Sequence, residues 1–140
     1  MKKVVEVQRT VDAPRSAVWT AMLAPRSALF PDAEVRTDWQ VGHPIRISGQ
    51  WDGKAYQDSG EVVAVVPQEK LEFTHWTGTD KRPDDYHTVS YVLAGEGDAT
   101  TVTLTQYGHG DEEVSETVRE KFRATWTALL EHLKQIVESL

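Results

Sequence analysis

The sequence predicts an α+β fold in which a curved antiparallel sheet of six to seven strands wraps around one long C-terminal helix. Two observations carry this prediction. Between residues 33 and 107 the chain breaks into short strand-like runs, and connections this short join antiparallel neighbours. From residue 114 to residue 140, apolar side chains recur at steps of three and four, which is the period of an amphipathic helix.

A strand and one or two short helices are predicted at the start of the chain. The Val-rich segment Lys3–Val11 favours a strand, and Asp12-Ala13-Pro14 ends it. Proline suits the first turn of a helix because its missing N–H would have no partner there, so the first helix is predicted over Pro14–Leu23. Arg26–Phe30 is compatible with one more helical turn before Pro31.

Six further strands are predicted, and turn residues separate them. They are Ala33–Val41, Pro44–Trp51, Tyr56–Val66, Lys70–Trp76, Tyr86–Leu93 and Thr101–Tyr107. Asp52-Gly53 and Gly97-Asp98 suit hairpin turns because Gly and Asp tolerate positive φ. The long polar loop Thr77–Asp85 is either a flap at a cavity mouth or an inert solvated excursion. This order of elements predicts a meander.

The C-terminal segment carries the strongest helical pattern of the chain. Asp111, Glu112 and Glu113 stand where the positive end of a helix dipole favours carboxylates. The apolar positions after them form one wide face: Val114, Val118, Phe122, Trp126, Leu129, Leu133, Ile136 and Leu140. An apolar face must be covered, and the sheet is the only predicted surface large enough to cover it.

Composition excludes several classes of function. The 140 residues include 15 Lys and Arg against 22 Asp and Glu, a net charge of −7, so we expect no nucleic-acid binding. Without cysteine there are no disulfides and no Cys-ligated metals. No stretch resembles an export signal or a bilayer span, so we expect residues 1–140 to form one cytoplasmic domain without stable membrane insertion. Unpaired edge strands are compatible with a homodimer.

Motifs of common catalytic and cofactor sites are missing from the sequence. The chain has no Gly-x-Ser-x-Gly elbow, no phosphate-binding Gly-rich loop and no His-Glu-x-x-His pair. Its five histidines, at positions 43, 75, 87, 109 and 132, show no metal-ligand spacing. We therefore expect no catalytic residue, no metal ion and no cofactor.

Alternation along the strands predicts which side chains face the helix. Ile47 lies on an apolar face, whereas Arg46 points to the opposite face and so to solvent. Phe73 shares a face with His75, and Tyr91 follows the same alternation on the next strand. A histidine or tyrosine among apolar residues orients a ligand oxygen or is satisfied by a backbone carbonyl in the core, and the pattern leaves both readings open.

Segments that carry a family resemblance run through the whole chain. They are Asp12-Ala13-Pro14 with Val18-Trp19, Trp39 with Gly42, the run Tyr56, Gly60, Val62, Pro67 and Leu71, then Thr100-Thr101-Val102 with Gly108, and Trp126 with Leu129 or Leu130. In this order they resemble the 90-kDa heat-shock-protein ATPase activator homologue-like branch of the START-like (SRPBCC) superfamily, which includes polyketide cyclases. Thr125 and Gln106 depart from that branch, which usually has Gly and often His there. The resemblance implies the helix-grip fold.

The resemblance also implies an apolar ligand in a cavity between the sheet and the last helix. Five Trp, four Tyr and three Phe supply rings that either line such a cavity or simply fill the core. The residues expected to bind the ligand are Trp39, Ile47, Phe73, His75, Tyr91, Phe122 and Trp126.

Three functions are compatible with this fold. We expect the binding of a small hydrophobic molecule, lipid-like or aromatic. The alternative is an enzyme of cyclase, aromatase or dehydratase type, which would need an acid or base in the cavity, such as His75, Tyr91 or Tyr107. A heat-shock-protein co-chaperone is the least expected, because the activators of that ATPase carry a separate N-terminal domain for which this chain leaves no residues.

Overall fold

The computed structural model describes residues 2–76, 86–108 and 114–140. Nine elements follow one another in these segments: β1 (Lys2–Val11), α1 (Arg15–Leu23), β2 (Ala33–Arg36), β3 (Pro44–Trp51), β4 (Lys54–Val66), β5 (Lys70–Trp76), β6 (His87–Ala94), β7 (Thr100–Gly108) and α2 (Glu116–Glu138). The predicted loop over 77–85 and the acidic residues 111–113 lie outside the described residues. The α+β fold class is confirmed, with α2 packed on a curved seven-stranded sheet in the helix-grip arrangement.

The seven strands form one antiparallel sheet in the order β1-β7-β6-β5-β4-β3-β2. Only the pairing of β1 with β7 joins strands that are distant in sequence, and the other pairs are consecutive. Asp52-Gly53 makes the two-residue turn between β3 and β4, with φ of 52° and 76°. Both values are positive, as in the hairpin turns that match the twist of a sheet. The predicted meander and its hairpin turn are confirmed.

The strand predicted over Ala33–Val41 is too long, because β2 ends at Arg36. Side-chain oxygens capture the backbone there: the Trp39 N–H donates to Oγ1 of Thr37 at 3.2 Å, and the Gln40 N–H donates to Oδ1 of Asp38 at 3.0 Å. Such local bonds compete with a strand ladder. Trp39 has a positive φ of 57° and lies outside the strands.

The helical turn considered for Arg26–Phe30 is not formed, and the segment is a series of turns. The buried hydroxyl of Ser27 donates to the carbonyl of Met22 at 2.5 Å and accepts the N–H of Leu29 at 3.1 Å. These two bonds fold the segment back toward α1, and they replace helical hydrogen bonds. As a result Leu29 and Phe30 face the interior of the molecule.

The core lies between the inner face of the sheet and α2. Burial follows the predicted alternation on β3, where Ile45 and Ile47 are buried and Arg46 is exposed. On β5 the inner residues Leu71 and Phe73 are buried, and Thr74 and Trp76 on the opposite face are buried as well. The large side chains that are fully buried come from every layer of the fold: Tyr91, Phe73, Met22, Ile45, Ile47, Leu71, Leu104, Leu130 and Leu133. Their burial supplies most of the driving force for folding.

Candidate functional site

A cavity of about 620 Å³ lies between the inner face of the sheet and the middle of α2, residues 125–132. Its lining is predominantly apolar: Leu29, Phe30, Pro31, Asp32, Gln50, Tyr56, Phe73, His75, Val89, Tyr91, Thr125, Trp126, Ala128, Leu129 and His132. This size falls within the range of roughly 300–1,000 Å³ that is typical of small-molecule sites.

The cavity has a deep wall and an exposed rim. Phe73, Val89 and Tyr91 on neighbouring strands β5 and β6 are buried at its floor. Asp32 and Thr125 are exposed and lie at the rim. A largely apolar interior with a few polar groups is the arrangement expected of a site for a small hydrophobic molecule.

Aromatic rings pack against one another along the floor. The rings of Phe73 and Tyr91 are stacked with centroids 6.1 Å apart, and Phe30 tilts against Phe73 at 5.7 Å. Trp39 meets the other side of Phe73 edge-on at 6.2 Å, and its Nε1–H donates to the Leu23 carbonyl at 3.0 Å. Because rings held on several sides cannot rotate freely, the floor keeps a fixed shape.

His75 is a polar residue of the cavity lining, and it is hydrogen bonded to a carboxylate. Its Nε2 lies 2.9 Å from Oδ2 of Asp58 on β4, and the two side chains are only 20% and 15% exposed. The His75 ring also contacts Phe30 edge-on at 6.2 Å and His87 at 5.1 Å. The sequence pattern leaves a backbone carbonyl or a ligand oxygen as partners of His75, and in the structure its partner is Asp58.

Trp126 closes the cavity from the helix side. Its Nε1–H donates to Oε1 of Gln106 at 2.6 Å, across to β7. Gln106 is only 4% exposed, so its side-chain oxygen depends on this donor. Gln106, which stands where the family often has His, therefore holds the Trp126 indole in place over the cavity.

Two tyrosines of the lining keep their hydroxyl protons at neutral pH. Burial raises the pKa of Tyr91, and burial followed by the charges of Asp58 and Asp32 raises the pKa of Tyr56. A neutral phenol both donates and accepts hydrogen bonds. The Tyr56 ring lies across Gly49, where a Cβ atom would come within 2.9 Å of it, so only glycine leaves room for this position of the ring.

Four of the seven residues expected to bind a ligand line this cavity: Phe73, His75, Tyr91 and Trp126. The other three are placed elsewhere. Trp39 backs Phe73, Ile47 is buried in the core at 2% exposure, and Phe122 is half-buried one helical turn before Trp126. Alternation and the helical period identify the inner faces correctly, but they do not say which part of a face is open.

Several residues of the site were not predicted from the sequence. Phe30 and Leu29 enter the lining through the turns after α1, a segment for which helix was considered. Asp58 lies on the same inner face of β4 as Tyr56, two residues away, and that alternation could have drawn attention to both. His132 and Leu129 lie one turn apart on α2 and both line the cavity. Helical spacing from Trp126 places Leu129 on the apolar face, but it does not predict that Leu129 contacts a cavity.

The described residues contain neither a cluster of metal ligands nor a helix that could span a membrane. In residues 2–76, 86–108 and 114–140, no group of three or more His, Asp or Glu side chains is placed to hold a metal ion. Within those same segments, neither helix combines the length and the apolar character that crossing a lipid bilayer requires.

Comparisons with known proteins agree with the fold. The sequence profile of the family described as Activator of Hsp90 ATPase homolog 1-like protein matches residues 12–138. A protein from Cytophaga hutchinsonii is similar in structure with a TM-score of 0.76 and 28% identity, over 99% of this chain and 97% of that chain. A comparison with curated proteins finds no significant match.

Two further structures show the same fold at lower identity. The Aha1 dimer from Colwellia psychrerythraea has a TM-score of 0.74 and 15% identity, over 99% of this chain and 97% of that chain. CalU16 from Micromonospora echinospora has a TM-score of 0.68 and 20% identity, over 94% of this chain and 74% of that chain. The family match over residues 12–138 places the chain in the START-like superfamily, and these structures share its fold.

Proposed function

We propose, from the premise that this chain belongs to the Activator of Hsp90 ATPase homolog 1-like protein family, that it binds a small hydrophobic molecule between its sheet and α2. One observation carries the function: the cavity of about 620 Å³ has a floor of buried apolar and aromatic side chains. Room of this size beside fixed rings supports the binding of a lipid-like or aromatic guest.

Binding is supported by what surrounds the cavity as well as by its volume. Trp126 and Leu129 on α2 are half-buried, so a guest would remove apolar surface of both from water. Each Å² of apolar surface removed contributes about 25 cal/mol. The rim residues are exposed, which gives a guest a route from solvent.

The test is a titration with N-phenyl-1-naphthylamine, an uncharged dye whose fluorescence rises in apolar surroundings. Ala128 lies on the cavity lining and is exposed, so Ala128→Trp places a ring at the mouth at little cost to the core. We expect roughly tenfold weaker dye binding in that variant, as for an overfilled site. Ala124→Trp, one turn earlier and exposed but outside the lining, is the matched control.

Saturable binding by the folded protein that Ala128→Trp weakens and Ala124→Trp leaves unchanged supports the function. Absence of saturable binding, or equal loss in both variants, contradicts it. Native mass spectrometry of protein purified from its host would then identify the natural guest as a co-purifying lipophile.

An enzymatic role in the same cavity is the second candidate, and the hydrogen bond between His75 and Asp58 favours it. A histidine oriented by a carboxylate is a common general base. Incubation with a poly-β-ketone compound, followed by mass spectrometry for loss of water, tests a cyclase or dehydratase activity. A rate equal to that in buffer alone contradicts it.

We also propose a cytoplasmic homodimer. The Colwellia relative is described as a dimer, and β1 and β2 lie at the two edges of the sheet, where strands of a second copy could add. Light scattering on the purified protein measures the mass, and a monomer at about 15.8 kDa contradicts the dimer. Cell fractionation tests the location.

A further inference from the structure

On the premise of the binding function above, we propose that the cavity recognises an aromatic molecule that carries a hydroxyl group, and that this hydroxyl donates a hydrogen bond to Nδ1 of His75. In this assignment His75 is the residue that determines specificity. Asp58 is a positioning residue, which acts on the ligand only through His75.

The hydrogen bond to Asp58 sets the tautomer of His75. An ionised carboxylate only accepts hydrogen bonds, so the Nε2 atom 2.9 Å from Oδ2 of Asp58 must carry a proton. In a neutral imidazole the other nitrogen then has no proton and acts as an acceptor. Nδ1 is that nitrogen, and His75 belongs to the cavity lining with 20% of its side chain exposed.

The orientation of the His75 ring is fixed before any ligand arrives. Phe30 contacts it edge-on at 6.2 Å, His87 lies beside it at 5.1 Å, and Asp58 holds its far nitrogen. A preoriented acceptor loses little conformational entropy on binding, so its selectivity for a donor is larger than that of a mobile side chain.

The indole of Trp126 and the two tyrosine hydroxyls do not require a ligand that accepts a hydrogen bond. The indole N–H of Trp126 is already donated to Gln106, so it does not require an acceptor from the ligand. Tyr91 and Tyr56 carry neutral hydroxyls, which adapt to a donor or an acceptor. The fixed acceptor therefore sets the preference of the site for a ligand that donates.

The ring walls determine the rest of the ligand. Phe30, Phe73 and Trp126 present aromatic surface to a space of about 620 Å³. Flat aromatic guests pack against such rings in stacked or edge-on geometry. Each ring pair contributes about 0.5–1.5 kcal/mol of binding free energy in addition to that from the buried apolar area. A phenol or a larger hydroxylated aromatic combines this surface with the donor that Nδ1 accepts.

The experiment compares two probes of nearly equal shape by equilibrium dialysis. 2-Naphthol has a hydroxyl donor, and 2-methoxynaphthalene keeps the oxygen and the rings but cannot donate. We expect the wild-type protein to bind 2-naphthol roughly three- to tenfold more tightly, as for one net hydrogen bond.

Three variants separate recognition from structure. His75→Phe keeps a flat ring but removes the acceptor, and the ratio of the two affinities should fall to about one. Asp58→Ala should lower the ratio while the affinity for 2-methoxynaphthalene is kept. His43→Phe is the control, since His43 bonds to Asp38 at 2.7 Å in a half-exposed pair outside the cavity, and its ratio should equal that of the wild type.

Nuclear magnetic resonance of the wild-type protein gives a second readout that needs no variant. The ¹⁵N shifts of His75 should show the proton on Nε2, and 2-naphthol but not 2-methoxynaphthalene should shift the Nδ1 resonance. A proton on Nδ1, or equal responses to both probes, overturns the inference even where His75→Phe fails to fold.

The possible results also distinguish this inference from the function on which it rests. If both probes bind with equal affinity, the hydroxyl preference is wrong and the binding function stands. If a preference persists in His75→Phe, the acceptor is a different group and the inference is wrong. If neither probe binds, the binding function is itself contradicted and the preference falls with it.

Discussion

Toward its C-terminal end α2 buries apolar side chains against the rest of the fold, whereas its middle, residues 125–132, covers the cavity. Leu130, Leu133 and Val137 are at most 4% exposed, but Trp126 and Leu129 on the same apolar stripe are half-buried. One continuous pattern in the sequence therefore serves two purposes. Close packing toward the C-terminal end of the helix provides stability, and looser packing in its middle leaves room for a guest.

Polar contacts reinforce the packing of the C-terminal end of α2. Glu138 accepts the backbone N–H of Asp12 at 2.8 Å, and Nζ of Lys134 donates to the carbonyl of Thr10 at 3.0 Å. Arg9 bonds to Glu131 at 2.8 Å. These contacts join the last turns of α2 to the end of β1. Nearer the start of α2, Nε of Arg119 donates to the carbonyl of Val4 at 2.9 Å, so the helix is held to β1 on both sides of the residues that cover the cavity.

The sharpest test of this comparison makes the same Leu→Ala substitution at a closely packed position and at a cavity position of α2. Leu133→Ala should lower the free energy of unfolding by about 2–5 kcal/mol, because it leaves a void in a sealed core. Leu129→Ala, one turn earlier on the cavity side, should cost about 1 kcal/mol, since only part of its surface is buried. Urea denaturation measures both. Equal losses of stability would mean that α2 is packed equally closely at Leu133 and at Leu129.

A smaller effect is expected from the polar contact at the cavity end. Trp126→Phe keeps a ring but leaves Oε1 of the buried Gln106 without its donor, which should cost about 1–3 kcal/mol. Gln106→Met in the same chain removes the stranded oxygen and should recover part of that loss. A double-mutant cycle by urea denaturation measures the coupling, and purely additive costs would contradict the hydrogen bond.

The first turn of α2 should also contribute a modest amount. The hydroxyl of Ser115 caps the helix by accepting the N–H of Val118 at 3.2 Å. Ser115→Ala should therefore cost about 1 kcal/mol and should speed hydrogen exchange in the first turn, far from Leu133. Slower folding with exchange unchanged in that turn would contradict the role of the cap. Ser115→Asp, which can also cap, is the control.

The smallest predicted effect is a loss of stability in acid at the C-terminal end of α2. The backbone N–H of Asp12, and then the Lys134 ammonium, hold the pKa of Glu138 below its ordinary value of 4.5. A lowered pKa contributes stability that is present at neutral pH and is lost as the pH falls below about 4.5 through the folded-state value. The excess in melting temperature of the wild type over Glu138→Gln should shrink across that range.

Lys134→Met provides the comparison for this titration. Because the Asp12 N–H is the larger cause, the pH-dependent difference should decrease but persist in the Lys134→Met background. A constant difference between wild type and Glu138→Gln from neutral pH to about pH 3 would show that the Asp12 contact does not depend on the charge of Glu138.

Much of the fold was predictable because its signals are local. The Asp52-Gly53 turn requires positive φ at both positions, and α2 shows its period in the order of its apolar residues. The two errors after α1 have local causes too. Thr37, Asp38 and Ser27 bond to nearby backbone, which neither periodicity nor alternation reveals.

The candidate site was only partly predictable. Strand alternation correctly places Phe73, His75 and Tyr91 on the inner face, and all three line the cavity. Ile47 satisfies the same rule and is sealed in the core instead. Asp58 has an ordinary surface residue's sequence context, and its contact with His75 depends on the pairing of β4 with β5.

By itself the amino-acid sequence determined the elements, their order and the side of each strand that turns toward α2, because the periods of helices and strands are properties of neighbouring residues. Tertiary structure alone decided where that interior is filled and where it stays open, and which carboxylate meets His75. Those outcomes depend on the distance between helix and sheet at each point, and that distance is set by close packing between residues far apart in the chain.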